Sequence, residues 1–198
     1  PATRVPGSWD RGYVQSVGGI CTVVGDQLRF YYIGFKGGDP SSYMHSNGAT
    51  GMAILRRDGF ASMSTTGEGS LTTRPVTFTG KYLFVNVDCL SGELKVEILD
   101  KNNKVIDDLS ADKCKAVSID STIQQIEWNG SSDLSSLVGQ EVKFRFKLKN
   151  GDLYAFWVSP STNGESNGYV AGGGPGYISN KDTEGKKAYE QASGLQKF

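Results

Sequence analysis

The sequence predicts an all-β protein: an antiparallel β-sandwich, jelly-roll-like, with additional N-terminal strands packed on it. Three observations lead there. Twenty-six glycines in 198 residues, with 11% aromatics, make a chain rich in turns and strands. Apolar positions alternate with period two in several stretches, the spacing of a strand with one buried face. Turns built on Gly, Asp or Asn recur between these stretches, as in an antiparallel sheet protein. Three segments are expected: N-terminal strands over 1–66, the sandwich over 67–178, and a polar C-terminal tail over 179–198.

The elements follow in order. Residues 13–35, "YVQSVGGICTVVGDQLRFYYIGF", read as two strands around the Gly25-Asp26 turn. Residues 36–49 form a long polar loop holding the one histidine, His45, read as a solvated imidazole. Loops of this length in a compact domain are often functional. Residues 50–63, "TGMAILRRDGFASM", read as two more strands around Arg57-Asp58-Gly59. Residues 73–88 read as two strands, with Pro75 near a strand start, where a missing donor is tolerated. Residues 92–99 alternate strictly: Leu94, Val96 and Ile98 inward, Glu93, Lys95 and Glu97 outward. A strand over 120–128 precedes "GSSDLSSLVGQ", a single helical turn capped by Ser132 or Asp133 with Leu134 and Leu137 tucked in. Beyond 160 the chain reads as a glycine-rich loop, then a short helix around Lys186–Gln191.

Residues 142–159, "VKFRFKLKNGDLYAFWVS", pose the sharpest question. Val142, Phe144, Phe146 and Leu148 alternate with Lys143, Arg145, Lys147 and Lys149. Asn150-Gly151 between two apolar runs predicts a hairpin with a type I′ turn. After it the alternation stops: Leu153, Ala155 and Trp157 are apolar, and so are Tyr154, Phe156 and Val158. The second arm is therefore covered on both faces or shows rings to a ligand. The first reading is preferred, with the sheet of residues 12–63 as the cover.

Composition excludes several classes. Twenty-one basic and 21 acidic side chains remove the simplest electrostatic argument for nucleic acid. No apolar run approaches the roughly 18 residues of a membrane span, so no membrane partner is expected. There is no Cys-x-x-Cys and one histidine, so neither a metal nor a cofactor is expected. Calcium is the one exception left open, through Asp39, Asp88, Asp100, Asp107 and Asp108, whose spacing is not that of a regular calcium loop. Of Cys21, Cys89 and Cys114, the preferred disulfide is Cys89–Cys114; the other reading is three buried thiols. The chain opens at Pro1 without a methionine, as a mature or excised product does, and a secreted or extracellular setting is expected.

The phrases "RGYVQSVGG", "TGMAILRRDGFASM", "LTTRPVTFTGKYLFVNVD", "GELKVEILD" and "VKFRFKLKNGDLYAFWVS" together resemble the C-terminal part of glycosyl-hydrolase-like proteins related to glycoside hydrolase family 32, over residues 9–177. The resemblance implies that 9–66 correspond to the last strands of a five-bladed propeller and 67–160 to the β-sandwich behind it. The family's catalytic motifs do not carry over. Trp-x-Asn-Asp-Pro-Asn-Gly is absent, Arg56-Arg57-Asp58-Gly59 lacks the proline of Arg-Asp-Pro, and the Glu-Cys acid motif is missing. Glycoside hydrolysis needs two carboxylates flanking one bond, and neither can be assigned.

The resemblance, the missing acid pair and the loop aromatics lead to one expectation: a non-catalytic, lectin-like module that binds a glycan or polysaccharide by aromatic stacking and charged hydrogen bonds. The alternative is a structural accessory part of a larger glycosidase-like protein, partnered by a propeller domain. A homo-oligomer is also open. Two sets of residues supply the mixture of rings and planar polar groups that sugars need. The first is Trp9, Asp10, Arg11 and Tyr13, with Tyr31 and Tyr43. The second is Asn167 and Tyr169 in the glycine-rich segment, with Asn163, Glu165 and Tyr177 nearby. The basic stripe Lys143, Arg145, Lys147, Lys149 reads as a solvated face; its sharper reading is a track for sulfated or uronic polysaccharide.

Overall fold

The computed structural model describes residues 5–38 and 43–195. The protein is all-β, with two antiparallel sheets. The first contains β1 (Tyr13–Ser16), β2 (Thr22–Val24), β3 (Gln27–Phe35) and β4 (Gly48–Arg56). β4 pairs with the whole length of β3, while β1 and β2 lie end to end along β3's other edge. The second contains β5 (Met63–Thr72), β6 (Tyr82–Asp88), β7 (Glu93–Leu99), β8 (Asp120–Gln125) and β9 (Lys143–Ser159). β9 is its axis: β5 pairs along one edge, β6 and β7 follow one another along the other, and β8 closes on β6. Among the described residues one α-helix, α1 (Lys186–Ala192), follows the sheets.

The stretch 142–159 is not a hairpin. It is one 17-residue strand that passes straight through Asn150-Gly151. A type I′ turn needs positive φ at both central residues. Here Asn150 has it (φ 45°) and Gly151 does not. The dipeptide instead makes a kink shared by three strands. On one side Thr65 faces Gly151 and Glu68 faces Lys149; on the other Asp88 faces Asp152 and Glu93 faces Lys149. Both neighbours therefore loop out at the same level. Gly151 is needed for close approach, since a Cβ there would sit 2.9 Å from the Cys89 Cβ. Pairing along both edges outweighs the local turn signal. A second expected hairpin also changes role. The Arg57-Asp58-Gly59 turn joins β4 to β5, but these strands belong to different sheets, so the turn carries the chain from one sheet to the other.

Alternation places the core. Leu83, Val85, Leu94, Val96, Ile98, Phe144 and Phe146 are fully buried on one face of the larger sheet. Each such side chain contributes roughly 1.5–3 kcal/mol on leaving water. The layer over them comes from the connections: Trp128, Leu134, Leu137, Leu109 and Cys114 join the same cluster. Trp128 donates Nε1–H to the Val96 carbonyl at 3.0 Å, which satisfies its one polar atom. The predicted helical turn is present as a 3₁₀ turn, Ser135–Leu137, with the Asp133 carboxylate accepting the Ser135 N–H at 2.7 Å. The expected Cys89–Cys114 disulfide does not form. All three cysteines are buried free thiols, and Cys89 and Cys114 each hydrogen-bond the backbone of a different strand or connection. Burial pushes both of these thiols above their ordinary pKa.

The two halves of β9 differ because different things lie on their second face. Over the first half that face is open. Over the second, Trp157 stacks on Phe84 (centroids 5.7 Å) and donates Nε1–H to the Gly164 carbonyl at 3.0 Å. The Arg56 guanidinium lies 4.7 Å from the Tyr154 ring. The cover is thus the Arg56-Arg57 turn and the segment after β9, rather than the flat of the N-terminal sheet. Residues 179–195, read as a polar tail, are docked: Asp182, Ala188 and Ala192 are buried, and the Tyr189 hydroxyl hydrogen-bonds Thr122 at 2.8 Å.

Candidate functional site

The junction between the sheets is polar and centred on two arginines. Arg56 donates Nε–H to the Asn86 side chain at 2.7 Å and pairs with Asp120. Asn86 in turn donates to the Arg57 carbonyl at 2.6 Å. Arg57, 8% exposed, pairs with Asp182 (Nη2–Oδ2 2.7 Å) and donates to the Tyr177 hydroxyl. Asp182, 1% exposed, also accepts the Gly185 N–H at 2.9 Å. Burial works against the Arg57 charge, but the Asp182 and Asp58 carboxylates beside it prevail and hold the guanidinium protonated. Burial raises the Tyr177 and Tyr189 hydroxyls, so both stay uncharged. The segment after β9 is tied to β2 as well, through Val23 N–H to Gly173 O (2.8 Å) and Gly172 N–H to Cys21 O (2.9 Å).

Beside this junction lies a cleft of about 420 Å³. Its walls include Ile20 from the β1–β2 connection, Phe30 from β3, Phe60 from the β4–β5 turn and Tyr169 from the segment after β9; Arg57 and Asp58 supply charge. Phe60 is 73% exposed and Tyr169 79% exposed, so two rings stand exposed at the mouth. Phe60 meets Phe30 edge-on (6.3 Å), and Lys181 Nζ sits 5.6 Å from the Tyr169 ring centroid. Asp58, at the positive-φ apex of its turn, presents a carboxylate 3.7 Å from Arg57 Nε. The charged side chains that line the cleft are Arg57 and Asp58, one of each sign, with the Lys181 ammonium beside the Tyr169 ring. Asp182 spends its oxygens on Arg57 and backbone N–H groups, so Asp58 is the carboxylate free to meet a ligand. The cleft thus offers two ring faces and an acceptor pair, the elements that hold a polyhydroxylated ring. A single accessible carboxylate is not the pair that glycoside hydrolysis uses.

The residues singled out from sequence fall in three places. Trp9 stacks on Tyr32 (5.6 Å) above Gly34 and Gly51, where a Cβ at either would come within 2.7 Å of the indole, so two small positions seat the ring on the sheet. Asp10 is buried beside it and accepts from the Ser8 hydroxyl; Arg11 is exposed. Tyr13 lies on the opposite face, edge-on to His45 (5.1 Å) and near Phe35 (6.1 Å), with Tyr31 further along that face. The first set is therefore divided between two faces of the N-terminal sheet. Tyr43 is exposed at a positive φ of 47°. Asn167 donates its N–H to the Asp182 carbonyl (2.9 Å) at the rim of the cleft, and Tyr169 stands in it. Phe60, Phe30 and Ile20 are cleft residues that the sequence reading does not mark. The available signal was Phe60, a bare aromatic directly after a polar Arg-Asp-Gly turn. Asp39 lies outside the described residues, and no cluster of three or more His, Cys, Asp or Glu poised for a metal exists among the described ones.

No family model, curated protein or solved structure matches this chain.

Proposed function

We propose that this chain is a non-catalytic, lectin-like β-module that binds a glycan in the cleft between the β4–β5 turn and the segment after β9. The observation that carries this reading is the pair of exposed rings, Phe60 and Tyr169, flanking the Asp58 carboxylate. Sugar C–H faces pack on the rings, and vicinal hydroxyls donate to Asp58. The lining carries one charge of each sign, so the cleft suits an uncharged sugar. The buried Arg57–Asp182 pair orients the turn and takes no part in chemistry. A glycan array followed by isothermal titration with the best neutral oligosaccharide tests this. Phe60→Ala and Tyr169→Ala are each expected to lose roughly five- to tenfold in affinity, about 1 kcal/mol per ring, while melting like the parent. Silence across neutral, sulfated and uronic glycans refutes it.

One observation favours the accessory reading. Tyr13, Tyr31 and Ile54 are exposed on one face of the N-terminal sheet, with Ile33, Phe35 and Met52 half-buried among them. An apolar face of this kind fits a docked neighbour such as a propeller domain. Size-exclusion chromatography separates the two readings: a monomer stable at high concentration argues for the module, self-association through this face for the accessory part.

A further inference from the structure

The open face of β9's first half carries a second arrangement, remote in chemistry from the cleft. Its cross-strand rows follow from the registers with β5 and β7. Lys149 stands between Glu68 and Glu93, Lys147 between Ser70 and Lys95, and Arg145 between Thr72 and Glu97. The outer and inner rows pair opposite charges; the middle row does not. Lys95 and Lys147 are direct cross-strand neighbours, an arrangement of like charges that costs stability.

The available carboxylates relieve it only on the Lys147 side. Glu97 is 5% exposed and uses one oxygen for Arg145 (2.8 Å) and the other for Lys147 (3.1 Å). Glu68 is engaged with Lys149 at 3.6 Å. Lys95 forms no ion pair among the described residues. Above these rows runs an open groove of about 750 Å³, lined by Ser70, Thr72, Lys95, Arg145, Lys147 and Lys149, with Glu68 and Glu93 closing one end. Neutral hydroxyls beside the unpaired Lys95 ammonium and the Lys147 ammonium, which shares Glu97 with Arg145, form a seat for a fixed anion. The acidic end row interrupts the positive potential after about two residues of strand, roughly 7 Å. A continuous phosphate backbone would run into it; a polymer with spaced anions would not.

We propose that this groove binds an anionic polysaccharide, sulfated or uronic, with one anionic group held between Lys95 and Lys147 and neighbouring sugar hydroxyls on Ser70 and Thr72. The site is independent of the cleft: one surface takes charge, the other takes ring faces. Relief of the lysine pair makes ligand binding and stability move together, because the anion removes a repulsion that the free protein carries.

The test is fluorescence-detected titration of the full chain with dextran sulfate and with polygalacturonate, at low and near-physiological salt, against uncharged dextran and a single-stranded oligonucleotide. Binding of at least one anionic polymer is expected, weakening steeply with salt, with none to dextran. The double variant Lys95→Gln/Lys147→Gln should lose at least tenfold in affinity. Lys95→Gln alone should bind more weakly yet melt at or above the parent's temperature, which shows that lost binding is not lost folding. Phe60→Ala should bind the anionic polymer unchanged, so failure of the cleft and failure of the groove are distinguishable. Salt-independent binding, no binding to either anionic polymer, an undiminished double variant, or equal affinity for the oligonucleotide each overturns the proposal.

Discussion

Replacing Asp182 by asparagine removes the charge that meets Arg57 while keeping nearly the same shape. Both partners are buried, at 1% and 8% exposure, with Nη2–Oδ2 at 2.7 Å. Removing one member of such a pair typically costs 3–5 kcal/mol, because the other charge is left in a dry site. The amide oxygen of asparagine can still accept from Gly185 N–H, so the low end applies, about 3 kcal/mol. For a chain of this size each kcal/mol moves the midpoint by roughly 2–4 °C, so Asp182→Asn should melt about 6–12 °C below the parent. Hydrogen exchange should rise first in 161–185, the segment the pair clamps to the sheets. Arg57→Met should cost a similar amount, and the double variant less than the sum, by about 0.5–3 kcal/mol of coupling. The exposed Lys115–Glu127 pair is the control, worth under about 1 kcal/mol. If Asp182→Asn melts within about 2 °C of the parent, or the two costs simply add, the clamp reasoning is wrong.

Further outcomes follow from other contacts. Burial alone would raise the Glu97 carboxyl, but hydrogen bonds from Lys147 and Arg145 prevail and hold it below the ordinary glutamate range. Its contribution is therefore full above the unfolded-state value and lost as pH falls through the folded one, so Glu97→Gln should cost about 1–2 kcal/mol at neutral pH, and the gap in melting temperature should narrow as pH falls below the ordinary glutamate range. Gly92→Ala would place a Cβ on the Lys149 carbonyl at the kink of β9; chemical denaturation should show a loss of about 2 kcal/mol or more. The three thiols are buried and unpaired, so a reductant should leave the melting temperature unchanged and mass spectrometry under denaturing alkylation should count three modified cysteines.

Local pattern made some of this legible. β7 alternates strictly in sequence and lies in the sheet as read, with Leu94, Val96 and Ile98 in the core. The turn after Asn129 was visible because a cap and two apolar residues fall at the spacing of one helical turn. Asn150-Gly151 misled because the dipeptide's backbone freedom suits a kink as well as a turn; three partner strands, remote in sequence, decided between them. The cleft was hidden for a related reason. Ile20, Phe30, Asp58, Phe60 and Tyr169 are spread over 150 residues, and what joins them is a turn that changes sheets and a glycine-rich segment that docks rather than trails. Asp58 was visible as turn chemistry, which it is; its second use follows only from what stands next to it. The row of Lys147 and Lys95 needed the register between β7 and β9, which alternation alone does not specify.

A neutral sugar is expected to touch the protein at the cleft between the β4–β5 turn and the segment after β9. Backbone amide chemical shifts of the labelled chain, titrated with the strongest neutral oligosaccharide from the array, locate that contact without mutation. The expected result is a shift of Asp58, Gly59, Phe60, Gly168 and Tyr169 with the strand pairs of the larger sheet unmoved. Shifts confined to Tyr13, Tyr31 and Met52 on the N-terminal sheet, or none at saturating sugar, contradict it.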